Sequence, residues 1–216
     1  MPRFFLYSCS YGAGEQKYSL KMKRLLTFAF LLFFSAVCFA QNNVTQFLGI
    51  PIDGTKSAMI QKLKAKGFTY DAAKDVLEGE FNGQQVLVSV VTENNKVYRI
   101  CLFDKNEISE SQIRIRFNKL CHQFENNKKY LPMKDYQEIG ETEDISYEMS
   151  VHAKEYQAGF YQLGTDGVIS YYNKSEEEIE QLSKKVVWFT IIERYGLYSI
   201  AMYYDNYNNT ANGEDL

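Results

Sequence analysis

Residues 80–103 read EFNGQQVLVSVVTENNKVYRICLF, and their pattern decides the architecture. Asn82-Gly83 stands between Glu80-Phe81 and the apolar run Val86 to Val91. An Asn-Gly pair between β-rich segments is a strong hairpin signal, because both central turn positions want positive φ. Glu93-Asn94-Asn95 makes a second turn, and Val97 to Phe103 is a third strand. Val76 to Phe103 is therefore read as a three-strand antiparallel meander.

Upstream, Phe47 to Ile52 is a short apolar run that Pro51 confines to an edge or a strand end. Asp53-Gly54 turns the chain, and Thr55 suits the N-cap of a helix over Lys56 to Lys66. Gly67 fits the left-handed position after that helix, with Phe68 behind it as the apolar contact. Downstream, Ser109 and Gln112 form a capping-box pattern. Ile113, Phe117, Leu120 and Phe124 then repeat as one helical stripe. Leu131-Pro132 breaks the chain, and residues 41–207 read either as a single domain or as two subdomains meeting near 127–135.

Ile145, Tyr147, Met149, Val151 and Ala153 alternate with polar residues and read as a strand with one wet face. Tyr156 to Leu163 and Val168 to Tyr172 read as a hairpin around Gly164 to Gly167. Ser175 with Glu178 opens a third helix, closed by Lys184-Lys185. Val186 to Ile192 and Leu197 to Tyr204 form a last hairpin, and residues 208–216 are a polar tail. The expected class is α+β, with about eight or nine antiparallel strands in meanders and hairpins and about three helices.

The chain has 216 residues, with 24 basic and 27 acidic side chains. Its first forty are unlike the rest. Lys21, Lys23 and Arg24 precede the uncharged run Leu25 to Ala40, which ends in a small-x-small pattern at Cys38 and Ala40. That is the layout of a secretory signal peptide over residues 22–40, with cleavage between Ala40 and Gln41. Residues 1–21 then read as an upstream extension, and residues 41–207 as the folded part. The apolar run is short of the roughly 20 residues that span a bilayer, so membrane contact is expected only through the signal peptide. Without residues 1–40 the chain loses five basic and one acidic side chain, leaving 19 against 26 and a net charge of −7. Such a surface repels phosphate backbones, so no nucleic-acid partner is expected. A periplasmic or secreted location follows from the same reading.

Few motifs carry chemistry. Neither G-x-S-x-G, nor a P-loop, nor G-x-G-x-x-G occurs. His122 and His152 lie far apart, and the cysteines show no zinc spacing, so no catalytic residue, cofactor or metal ligand set is assigned. Cys101 and Cys121 are the cysteines left after cleavage: they form either a disulfide closing a short loop or two buried thiols. Glu78 and Glu80, two apart on a strand, share a face and keep carboxylate chemistry open. Tyrosine is the compositional oddity. Tyr171, Tyr172, Tyr195, Tyr198, Tyr203 and Tyr204 cluster late in the chain and form a candidate contact face, since tyrosine combines stiff apolar area with a polar tip.

The leader followed by FLGIPIDGTKSAMIQKLKAKGF (residues 47–68), NNKVYRICLF (94–103) and VWFTIIERYGLYSIAMYYDN (187–206) resembles a group of uncharacterised exported proteins of Bacteroidota. The resemblance implies export and no particular activity. The layout alone, a short helix pair before an antiparallel sheet, is similar to β-lactamase-inhibitor-type and outer-membrane-assembly lipoprotein modules, and implies protein binding by analogy. Three functions are carried forward. They are a non-enzymatic envelope module that binds a protein or glycan, a carboxylate-dependent hydrolase, and a structural envelope component.

Overall fold

The computed structural model describes residues 44–164 and 175–210. Contacts divide the chain into Met1–Asn42 and Asn43–Leu216, and every described residue lies in the second unit. In chain order the elements are β1 (Gln46–Phe47), β2 (Ile50–Pro51), α1 (Lys56–Ala65), β3 (Thr69–Asp71), β4 (Val76–Phe81), β5 (Gln84–Glu93) and β6 (Lys96–Asp104). Then come α2 (Glu110–Glu125), β7 (Tyr130–Pro132), α3 (Ile145–Val151), β8 (Gln157–Gln162), α4 (Glu176–Ser183), β9 (Lys185–Arg194) and β10 (Leu197–Asn206). Eight strands form one antiparallel sheet in the order β3-β4-β5-β6-β10-β9-β8-β7, and β1 and β2 pair separately. The class is α+β with antiparallel meanders. No described helix is long and apolar enough to cross a membrane.

Local sequence explains the elements. Asn82 and Gly83 both take positive φ at the β4–β5 turn, and Asn94 and Asn95 do so at the β5–β6 turn. Both pairs have the backbone hand that matches strand twist. Thr55 caps α1, its hydroxyl accepting from the Ala58 N–H at 3.3 Å. At the other end the Gly67 N–H donates to Lys64 and the Phe68 N–H to Leu63. That pattern needs the left-handed φ of 99° that Gly67 supplies. The Ser109–Gln112 capping box opens α2.

Register sorts the strand residues onto two faces. Val88, Ile100, Leu102, Met202, Phe189 and Phe160 share the first, since Val88 and Met202 oppose Leu102, Phe189 opposes Met202, and Phe160 opposes Val187. The α2 stripe packs there: Phe124 stacks on Phe160 at 4.8 Å, and Phe117 meets Phe189 edge-on at 5.1 Å. Met59 and Leu63 of α1 join the same core. Arg116 of α2 grips Asp104 of β6 with two hydrogen bonds, at 2.5 and 2.6 Å.

Three expectations change. Residues 145–151 are helix α3, not a strand. Ile145 and Met149, which an alternating pattern places on one face, are also four apart and share a helical face. The Asp144 carboxylate decides between the two by accepting from the Tyr147 N–H. The three-residue strands β3 and β7 were not anticipated; they flank the sheet as short edges, with Pro132 ending one, which discourages strand addition from outside. The region 127–135 is no junction between subdomains. It contains β7, and the chain's two meanders share one sheet through β6 and β10. The expected strand 168–172 lies outside the described residues.

Phe189 is fully buried among Phe117, Phe124 and Phe160. Phe189→Ala should cost about 3–5 kcal/mol in urea unfolding, whereas Ile115→Ala, at an exposed position, should stay within about 0.5 kcal/mol.

Candidate functional site

The second face of the sheet holds a cluster of polar and aromatic side chains around Arg99 and Asp205. Arg99 of β6 and Asp205 of β10 are direct cross-strand partners. The guanidinium donates from Nε at 2.5 Å and from a terminal nitrogen at 2.8 Å, a bidentate pair. Asp205 is fully buried. Its Oδ2 also accepts from the Trp188 indole N–H at 2.9 Å and from the Tyr207 hydroxyl at 3.0 Å. One carboxylate thus takes four hydrogen bonds, which offset the cost of its desolvation.

Aromatic rings surround the pair. Trp188 of β9 opposes Tyr203 of β10, and their rings stack at 4.2 Å with planes 20° apart. Phe103 of β6 meets Tyr203 at 6.2 Å, nearly perpendicular. The Arg99 guanidinium carbon lies 5.2 Å from the Tyr203 ring centre, 5.9 Å from Trp188 and 5.7 Å from Tyr98, within cation–π reach. The hydrogen bonds to Asp205 raise the Arg99 pKa, while burial raises the Tyr203 and Tyr207 hydroxyls. Phe103, Trp188 and Tyr203 are half-buried, so the row is partly open to solvent.

The sequence-level tyrosine face is not one surface. Tyr203 belongs to the row just described. Tyr198 and Tyr204 are buried on the helix-covered side, because alternate residues of β10 point to opposite faces. Tyr195 sits in the β9–β10 turn, fully exposed, while Tyr171 and Tyr172 lie outside the described residues, as do Ala40 and Gln41. Reasoning from tyrosine count missed Arg99, Phe103, Trp188 and Asp205. The signal was present as alternation along Arg99, Cys101 and Phe103, but pairing register was needed to join it to Trp188, Tyr203 and Asp205.

Cys101 and Cys121 are both buried free thiols, the second of the two states left open by their spacing. Burial pushes the thiol pKa of Cys101 up to about 11 and that of Cys121 up to about 12. Neither supplies a thiolate nucleophile near neutrality. His152 is exposed and bound to Glu148 at 2.9 Å, one helical turn away. The strand acids do not converge: Glu78 pairs with Lys105, and Glu193 accepts from the Gly196 N–H in a turn. Glu143 is held below the usual carboxylate range by Lys154 and then Tyr156, the opposite of a general acid tuned upward.

One group of metal-ligating side chains stands apart. His122, Glu125 and Glu138 place their ligand atoms within 4.8 Å of one another. Beside it a groove of about 660 Å³ runs along α2, lined by Arg114, Ile115, Asn118, Lys119 and His122 among others.

No protein-family model, curated protein or solved structure matches this chain.

The buried thiols give a direct check. In the native protein Cys101 and Cys121 should resist alkylation, and both should be alkylated after denaturation without reductant, as read by peptide mass mapping. Peptides that react only after reduction would establish a bridge instead.

Proposed function

We propose that this chain is an exported, non-enzymatic binding module of the cell envelope that contacts a partner protein through the second face of its sheet. The row Phe103–Tyr203–Trp188, set around Arg99, carries this reading. Aromatic residues and arginine are the side chains enriched at protein–protein contacts. Here the Asp205 bonds and the stacked rings hold them in place before any partner arrives, which lowers the ordering cost of binding. Between a protein and a glycan, the ring geometry favours a protein. Trp188 and Tyr203 each have one ring face covered by the other, which leaves less flat ring area for a sugar to stack on. Export rests on the basic and apolar pattern of residues 22–40.

Trp188 is the chain's single tryptophan, so its emission reports on this face alone. Titration with fractionated envelope proteins should shift that emission. The neighbouring, half-buried Ser89 opposes Cys101 on the same face. Ser89→Arg should abolish both the emission shift and partner capture while leaving the circular dichroism spectrum unchanged. Full capture by Ser89→Arg would place the contact elsewhere. A response to purified glycans and none to proteins would replace the protein partner with a sugar.

A further inference from the structure

We infer that His122, Glu125 and Glu138 form a binding site for a divalent first-row transition ion of the zinc class. His122 and Glu125 are three apart on α2 and therefore project from one helical face. Glu138 comes from the loop between β7 and α3, and its carboxylate Oε1 lies 3.1 Å from His122 Nδ1. An ion about 2.1 Å from each of three ligands holds those ligands roughly 3–4 Å apart. The observed separations, all within 4.8 Å, need only side-chain rotation to reach that arrangement.

The loop does not leave Glu138 to chance. On one side, Ile139 is buried, and its backbone is clamped by the Asn118 side chain through two hydrogen bonds of 2.8 Å. Asn118 lies one helical turn before His122, so the same helix that carries two ligands also fixes the third. On the other side, the Gln137 carboxamide pairs with the Gly159 backbone of β8, accepting from its N–H at 2.7 Å and donating to its carbonyl at 3.3 Å. Glu138 is thus pinned between two anchored neighbours and aimed at α2. Such outer support is what keeps metal ligands in register.

The charge pattern agrees. Two carboxylates are brought together, and among the described residues neither is matched by a lysine or arginine. The side chain that Glu138 approaches is His122 itself. One imidazole nitrogen with two carboxylates suits zinc and its neighbours, whereas calcium takes oxygen ligands alone. Three protein ligands leave coordination positions for water, or for a donor group of a molecule lying in the groove that His122 also lines. All three side chains are solvent-exposed, so they can be changed without opening the core. The sequence shows this site only as a His-x-x-Glu pair; the third ligand is thirteen residues beyond Glu125 and is brought back by the Asn118 clamp.

The test is a zinc titration of the untagged full-length chain by calorimetry, with melting temperature as a second readout. One zinc per chain should bind at this site and raise the melting temperature. His122→Ala should weaken that binding at least tenfold, and Glu138→Gln should weaken it similarly, with circular dichroism unchanged in both. Millimolar calcium should not displace the ion. Unchanged zinc affinity in His122→Ala, no saturable zinc binding by the wild-type chain, or displacement by equimolar calcium would each overturn the assignment.

Discussion

The structure depends on the seam between β6 and β10, and Arg99 with Asp205 closes it. These residues are about a hundred positions apart in sequence and directly opposite in the sheet. Each flanking meander is local and is specified by its turns. Their union is not local, so chain entropy opposes it until a specific contact forms. A carboxylate fully removed from water cannot tolerate a wrong register, because a slip would leave it without its guanidinium. The bidentate geometry therefore selects one alignment of the two halves as well as stabilising it.

The same carboxylate organises its surroundings. Its side chain holds the Trp188 indole and the Tyr207 hydroxyl, and the Asp205 backbone carbonyl accepts from the Thr45 hydroxyl near the start of the described chain. Next to it, the Asn206 amide donates to the Ile52 carbonyl. The segment around β1 and β2 is further tied to the sheet by Gln162, whose amide accepts from the Gln46 N–H and donates to its carbonyl. Glutamine amides thus act twice as substitute peptide groups, here and at Gln137 with Gly159. These ties satisfy backbone groups that short edge strands would otherwise leave open. The aromatic row owes its placement to the seam, so the face proposed for binding and the joining of the sheet share one cause.

Much of the architecture was legible because turns and caps are local chemistry. Asn82-Gly83, Thr55, Gly67 and the Ser109–Gln112 box each did what their side chains dictate. Residues 145–151 were misread because Ile145 and Met149 satisfy strand and helix periods at once, and only the Asp144 cap separates them. The three-residue edges β3 and β7 carry too little pattern to be seen. The site was the least legible part. Whether a tyrosine faces the core or the second face depends on strand register, which split Tyr203 from its neighbours Tyr204 and Tyr198. The His122, Glu125 and Glu138 group depends on a loop path that no periodicity encodes.

The seam is tested most directly by a double-mutant cycle in urea unfolding, with Arg99→Met, Asp205→Leu and the pair combined. Arg99→Met leaves the fully buried Asp205 carboxylate without its guanidinium and should cost about 3–5 kcal/mol, whereas Asp205→Leu leaves a half-buried guanidinium that water reaches and should cost less. The combined variant removes both charges together, so its loss should fall short of the summed single losses by more than about 1 kcal/mol. Losses that add to within about 0.5 kcal/mol would show that Arg99 and Asp205 act independently, and would contradict the clamp at the centre of the sheet.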